Sequence, residues 1–466
     1  MITDSPRESC GIFGIFAPGE DVARTTFFGL YALQHRGQES AGIATSDGKG
    51  LRVRTGMGLV AQVFVEDDLA DLNRGHIAIG HTRYSTTGSS RIANAQPLVV
   101  ESDLGTLALA QNGNVVNASA LRTQMEPSYK FYSTTDAEVI AQVIASSFGY
   151  SWEDKILRAI PRLQGAFSLV LLTRESLIGV RDPLGIRPLC LGRLNGGWVL
   201  ASESCALDTV GAQFLREVEP GEIVVIDQRG VRSTMGTVSE QRSLCVFEFI
   251  YFARPDSLIN GRLLYLARQE MGAQLAREYP VEADLVIAVP DSAIPAGIGY
   301  AKESGIPFSE GLIKNRYIGR TFIQPDQRMR EMGVQLKFNP RMEALYGKRL
   351  VVLDDSIVRG TTTPRVVSLL RKAGASEIHM RISAPPIRYP CFFGVDMATR
   401  AELIAYRKTV DEIARFIGAT SLGYLSLEGL VKSVGLPSED FCLACFTGRY
   451  PIPVQLEMDK LVMERP

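Results

Sequence analysis

Along the first half of the chain, apolar residues come in short runs broken by Gly, Asn and Ser. Residues 77–79, 106–110, 168–172, 197–201 and 222–226 read as strands of this kind. Only 23–34 and 135–147 carry a clear helical period. Runs of strands with helices interposed predict stacked sheets covered by helices. After about residue 236 the texture changes. The apolar run 285–289 ends in Pro290-Asp291 and leads to a helical stretch from Ala293, and 350–353 repeats the plan, ending in Asp354-Asp355 before a helix from about Thr363. Apolar strands alternating with helices predict a parallel α/β sheet with its ligands at the carboxyl ends of the strands. A boundary is expected in the polar stretch 237–242. Residues 56–61 imitate a dinucleotide fingerprint, but no helical pattern follows them, so a turn between strands is expected.

Composition narrows the classes. A chain of 466 residues exceeds one hydrophobic core, so two or three domains are expected. Hydrophobic content of 45% and charged content of 22% are ordinary for a soluble protein. A net charge of -1 offers no field for a nucleic-acid backbone, so no nucleic-acid partner is expected. The first nine residues are polar and lack the apolar stretch of a secretory signal. No apolar run approaches the roughly 20 residues of a membrane helix, so no membrane partner is expected and the cytoplasm is the expected compartment. Seven cysteines in such a chain suggest catalysis or metal binding before disulfides.

The densest chemistry lies in Val351-Val352-Leu353-Asp354-Asp355-Ser356-Ile357-Val358-Arg359-Gly360-Thr361-Thr362-Thr363-Pro364. A buried strand ends in two carboxylates, and a Ser/Arg/Gly/Thr loop then opens a helix. Helix N-termini attract phosphate, Gly360 permits close approach, and Pro364 suits the first helical position. The carboxylates repel phosphate and fit sugar hydroxyls or Mg²⁺ instead. The loop is not a Walker A sequence, and 42–49 misses that spacing as well. The segment resembles the phosphoribosyl pyrophosphate signature of type I phosphoribosyltransferases. That resemblance implies Asp354 and Asp355 on the ribose hydroxyls and Mg²⁺, and Ser356, Arg359, Gly360, Thr361 and Thr362 on the 5′-phosphate. Val289-Pro290-Asp291-Ser292 is similar to the family's pyrophosphate loop, with Ser292 near the metal. Residues 314–340, rich in Arg and Gly, look like the lid that closes over the substrate.

Near the amino terminus, Cys10-Gly11-Ile12-Phe13-Gly14 is followed by Gln34-His35-Arg36-Gly37-Gln38-Glu39-Ser40, by Gly80-His81-Thr82-Arg83-Tyr84, by Gln111-Asn112-Gly113-Asn114 and by Thr135-Asp136-Ala137-Glu138. Taken alone, Cys10 would be a buried inert thiol and Asn112-Gly113-Asn114 a turn. Together the motifs resemble the glutaminase domain of the N-terminal-nucleophile hydrolases, which implies two antiparallel sheets sandwiched between helices. In that class the base for the thiol is the same residue's α-amine, which titrates near pH 8. An amide nitrogen cannot do this, so residues 1–9 look like a propeptide. The resemblance gives Cys10 the nucleophile's role, Arg83 the glutamine α-carboxylate, Asp136 its α-ammonium, and Asn112 with Gly113 the oxyanion hole.

Cys442-Leu443-Ala444-Cys445 could share a metal with Cys245 and Cys391, and spacing does not choose between zinc and a 4Fe–4S cluster. The segment 245–257, with 181–189 and 201–207, is similar to the amidophosphoribosyltransferase family, whose propeptide-bearing branch carries a 4Fe–4S cluster on cysteines at these four places. Cys190 and Cys205 are expected to pack in the core. The resemblance spans nearly the whole chain. It implies an α+β and α/β architecture: a propeptide at 1–9, an N-terminal-nucleophile hydrolase αββα sandwich over 10–240, and a type I phosphoribosyltransferase α/β domain over 241–466. The implied reaction takes ammonia from glutamine and displaces pyrophosphate from phosphoribosyl pyrophosphate, opening purine synthesis, with Mg²⁺ and one 4Fe–4S cluster as cofactors. A homotetramer and purine nucleotide inhibitors are implied as well. Two rivals are a phosphoribosyl pyrophosphate-binding regulator, which has no use for Cys10, and another glutamine amidotransferase, which has none for Asp354-Asp355.

Overall fold

The computed structural model describes residues 10–84, 87–237, 239–315, 338–395, 399–454 and 462–464. The expected propeptide, 1–9, and most of the expected lid, 316–337, lie outside the described residues.

The strand Gly11–Phe16 sits inside a seven-stranded antiparallel sheet, between Ile77–Arg83 and Gly197–Ala201. Its side chains alternate as a strand's must. Ile12 and Phe16 face the second, six-stranded sheet, meeting Ala108, Ala110, Val170 and Leu172, whereas Phe13 and Ile15 pack under the helix Val22–Ala32 with Val22 and Leu30. Both faces are covered, so all six residues are buried. On the far side of the six-stranded sheet, the helix Asp136–Ser146 sets Val139, Ile140 and Val143 against Leu107, Leu109 and Phe167. The layers run helix, sheet, sheet, helix, the sandwich that the strand-rich pattern predicts.

Residues 56–61 differ from expectation. They leave the strand Leu51–Met57 for a one-turn helix, Val60–Val63, because Val60 is pulled fully into the core. Asn112-Gly113-Asn114 is no turn either: it lies within the strand Gly105–Val115, paired along Gly165–Leu172.

A four-stranded parallel sheet follows, in the order Leu285–Ala288, Arg349–Asp354, Glu377–Ile382, Ser421–Tyr424. Val351 and Leu353 face the helices Leu264–Glu278 and Ile294–Ser304, while Leu350 and Val352 face Thr363–Lys372 and Val410–Ile417. The first two helices touch backbone to backbone, since a Cβ on Gly272 would lie 1.8 Å from the Ala296 carbonyl oxygen.

The two halves do not end in separate cores. Ala166, Leu184 and Ile186 belong to one apolar cluster with Leu244, Phe247 and Phe393. A buried ionic chain crosses the same seam: Arg36 bonds Glu203 and Glu248, and Arg187 reaches Glu248 at 3.1 Å. Burial alone would raise the Glu203 carboxyl, but its neighbours His35 and Arg36 hold it well below the usual carboxylate range.

Candidate functional sites

The register Gly11↔Thr82 sets Cys10 beside Arg83 and Tyr84. The Cys10 thiol is buried and donates to the Tyr84 carbonyl at 3.3 Å. Burial pushes it up to about 11, with Arg83 opposing and Asp136 and Glu39 adding to the rise. A thiol of that kind is about one part in 10⁴ thiolate at neutral pH, so it needs a base at the moment of attack.

Arg83, only 2% exposed, donates to the carbonyls of Ser89 and Thr87 at 3.2 and 3.1 Å and faces Glu39. Desolvation lowers its affinity for a proton, and the charges of Cys10, Glu39 and Asp136 oppose that loss. Asp136 opens the helix Asp136–Ser146, where a carboxylate is favoured by the unpaired amides. Its Oδ2 accepts from Gln111 Nε2 at 2.8 Å and from the Val115 amide at 2.9 Å, yet burial still raises it. An ammonium ion beside it would relieve that cost. Asn112 is wholly buried, and neither its Oδ1 nor its Nδ2 has a hydrogen-bond partner among the described residues. An unsatisfied buried amide costs on the order of 1–3 kcal/mol, which a ligand oxygen would recover. Gly113 holds φ at 142°, and a Cβ there would lie 2.1 Å from the Ala166 carbonyl oxygen.

In the second half, two loops meet at the carboxyl ends of neighbouring parallel strands. Ser292 Oγ donates to Asp355 Oδ2 at 2.5 Å and Ser356 Oγ to Asp355 Oδ1 at 2.7 Å. Asp355 is thus buried, at 2% exposure, and ties the loops together, whereas Asp354 is half-buried and bonds the Asp355 amide. Asp291 is exposed and pairs with Lys314. Gly360 takes φ +71°, and the buried Thr361 hydroxyl has no partner among the described residues. The helix Thr363–Lys372 starts there, with Pro364 at its second position rather than its first. Arg359 turns its Nε to Glu402 at 2.9 Å.

The four cysteines converge. Cys245 and Cys442 lie opposite each other on a short parallel ladder, and the Cys391, Cys442 and Cys445 thiols all bear on one another electrostatically. Burial pushes Cys245 up to about 11, with Arg187 opposing. Among the described residues, no three His, Cys, Asp or Glu side chains form a group that could hold a metal ion. Cys190 and Cys205 pack in the core beneath the first helix, as expected.

Comparison with known proteins decides the family. A glutamine amidotransferase domain profile matches residues 81–209. The amidophosphoribosyltransferase of Synechocystis sp. is 54% identical over 99% of this chain and 95% of its own, and that of Archaeoglobus fulgidus is 52% identical over 96% and 98%. A solved B. subtilis glutamine phosphoribosylpyrophosphate amidotransferase, complexed with ADP and GMP, is 47% identical and superposes with a TM-score of 0.91 over 97% of this chain and 99% of that one. The chain belongs to the amidophosphoribosyltransferase family. It is a glutamine-dependent enzyme of the first step of purine biosynthesis, with the glutaminase and phosphoribosyltransferase folds of that family. Among the described residues, no helix is long and apolar enough to cross a membrane.

In this member of the amidophosphoribosyltransferase family, the expected glutaminase residues Cys10, Arg83, Asp136 and Asn112 draw in others to which the sequence assigned no role. Gln111 orients Asp136, and its own amide donates to Gln96 Oε1 at 2.8 Å. His81 donates from Nε2 to the Gln111 carbonyl at 3.0 Å, and burial pushes it down to about 3, so it stays neutral. Both lie inside the quoted motifs, but only the tertiary contact reveals their work. Lys314 is a further cation beside the loop at Asp291, with which it pairs.

Proposed function

We propose that Cys10, freed by removal of residues 1–9, attacks the side-chain amide of glutamine, and that Asp354, Asp355 and the loop 356–362 hold the phosphoribosyl pyrophosphate that receives the ammonia. The observation that carries this reading is the buried Asn112 amide, both of whose polar atoms lack a partner among the described residues, next in the strand to the Gln111 that holds Asp136, whose charge bears with that of Arg83 on Cys10. Arg83 binds the α-carboxylate and Asp136 the α-ammonium. The Cys10 α-amine takes the thiol proton as sulfur attacks, and the Asn112 amide, with the Gly113 N–H, stabilises the tetrahedral oxyanion. The protonated amine then gives its proton to the departing nitrogen, ammonia leaves, and water hydrolyses the thioester to glutamate.

Ammonia passes through the protein rather than through solvent, a route consistent with the shared buried seam between the halves. It displaces pyrophosphate from C1 to give phosphoribosylamine. The Thr361 hydroxyl and the amino end of the helix Thr363–Lys372 suit the 5′-phosphate. Ser292, Asp354 and Asp355 are the oxygen donors for Mg²⁺, which when bound neutralises the pyrophosphate. The purified enzyme is expected to have a mass lacking residues 1–9 and to release pyrophosphate from phosphoribosyl pyrophosphate when given glutamine. Full glutamine activity in a chain that still carries those nine residues would refute the amine as base.

Cys245, Cys391, Cys442 and Cys445 are the ligands we infer for one 4Fe–4S cluster. Four thiols in one neighbourhood, Cys245 and Cys445 buried and Cys391 and Cys442 half-buried, are a soft donor set, and Arg187, whose charge bears on Cys245 and Cys391, offsets the negative charge of their thiolates. The cluster supplies a structural crosslink. Cys442→Ser is expected to reduce bound iron and brown colour to background and to lower the thermal midpoint; an iron content equal to that of the parent would exclude Cys442 as a ligand. Purine nucleotides are the effectors we infer, because the B. subtilis relative holds ADP and GMP.

A further inference from the structure

The segment that follows Cys391 crosses back onto the strand bearing Asn112 and Gly113. Two contacts join them, and Arg187 anchors the segment between the two. Asn114 Nδ2 donates to the Phe392 carbonyl at 2.9 Å. Gly394, at φ +100°, lies so close to the Gly113 peptide that a Cβ on it would meet the Gly113 carbonyl carbon at 2.9 Å and its Cα at 3.0 Å. Between these two, the Phe393 carbonyl accepts from Arg187 Nε at 3.0 Å and from Nη2 at 2.8 Å. The Arg187 side chain is wholly buried, and its Nη1 donates to the equally buried Glu248, which Arg36 also bonds. Phe392 and Phe393 are buried too, at 7% and 2% exposure.

Gly113 is therefore pressed from two sides. Its strand neighbour Ala166 lies on one, and Gly394 lies on the other. A hydrogen-bond donor for a developing oxyanion works only if it is held within a few tenths of an ångström of its place. The pairing with Gly165–Leu172 fixes this peptide from one side of the strand only. The backbone at 392–394 fixes it from the other, and Arg187 keeps that backbone from sliding.

We propose that residues 392–394, clamped by Arg187, are a positioning strap for the oxyanion backbone of the glutamine site. The phosphoribosyl half of the chain thereby sets the rate of a reaction carried out in the other half. The inference rests on the reading of Asn112 and Gly113 as the oxyanion pair. Gly394 and Asn114 are positioning residues: neither touches substrate. Their work is seen in turnover rather than in glutamine affinity, because Arg83 and Asp136 lie outside the strap's contacts.

The test uses the holoenzyme with glutamine or ammonium as nitrogen donor. Gly394→Ala adds a methyl group against Gly113, and Asn114→Asp keeps the acceptor for Thr87 while removing the donor to Phe392. Both variants are expected to lose glutamine-dependent kcat by on the order of tenfold, with the glutamine KM within about twofold of the parent. Ammonia-dependent turnover and bound iron should match the parent. Should Gly394→Ala fail to fold, Asn114→Asp decides alone. Equal loss with both nitrogen donors, or a raised KM with unchanged kcat, overturns the strap. Asn112→Ala separates the two levels of the argument. If it leaves glutamine turnover intact, the oxyanion reading itself is wrong; if it abolishes that turnover while Gly394→Ala and Asn114→Asp do not disturb it, only the strap is wrong.

Discussion

Cys10→Ala is expected to cut glutamine-dependent synthesis by roughly 10⁴-fold or more, the scale of losing a covalent nucleophile, while synthesis from ammonium salts continues at the parent's rate. The asymmetry follows from the architecture. Cys10 lies in the sandwich, and the residues proposed to meet phosphoribosyl pyrophosphate lie at the ends of a different, parallel sheet. The buried thiol, pushed up to about 11, has almost no thiolate of its own to offer. On the proposed mechanism its activation falls to the Cys10 α-amine, whose ordinary pKa is near 8. The sign is therefore fixed: kcat/KM for glutamine rises as pH climbs through the amine's titration, where the base form accumulates, and levels off above it. The ammonia-dependent reaction levels off only at higher pH, because its rate follows the share of unprotonated ammonia, and ammonium is a weaker acid than the α-ammonium group. Parallel profiles for the two donors, or equal loss of both activities in Cys10→Ala, would contradict a separate glutaminase centre.

Gly360→Ala should abolish both activities together, by on the order of 10²-fold. The backbone there stands at φ +71°, and a Cβ would lie 2.4 Å from Ile404 Cδ1, so an added methyl group meets strain and a clash at once. The loop has no slack to absorb this, since Asp355 on one side is tied to Ser292 and Ser356 and the helix Thr363–Lys372 begins on the other. The phosphate loop must shift, and a displacement of about 1 Å at a positioning site costs about 10²-fold. Steady-state kinetics should show a raised KM for phosphoribosyl pyrophosphate with either nitrogen donor, while glutamine hydrolysis by itself keeps its rate. Loss confined to the glutamine-dependent reaction would mean that Gly360 serves something other than the phosphate.

Much of this was legible in the chain, for physical reasons that also explain the rest. Residues 168–172 announce a strand because both of their faces are covered, which leaves no room for polar alternation. Asp354-Asp355 and the loop after them are legible because phosphate chemistry demands a local sequence. Cys10, Arg83, Asn112 and Asp136 could be paired only through the resemblance, since more than twenty residues separate each from the next and nothing in composition joins them. Gln111 on Asp136, Phe393 on Arg187 and Gly394 on Gly113 escaped altogether. The last two use a backbone carbonyl and bare glycine, which carry no signature of their partner, and the first joins side chains 25 residues apart. The misjudged 56–61 has the same origin: Val60 chooses a helical turn because of the core above it, not because of its neighbours in sequence.

The seam has a consequence for engineering. A chimaera that grafted the ammonia-producing portion onto a foreign acceptor enzyme would bare Leu184 and Ile186 to water and strip Arg36 and Arg187 of Glu248. The boundary visible as a change of texture in the sequence is therefore no place for scissors. Transplanting the activity means carrying residues 244–253 along with it.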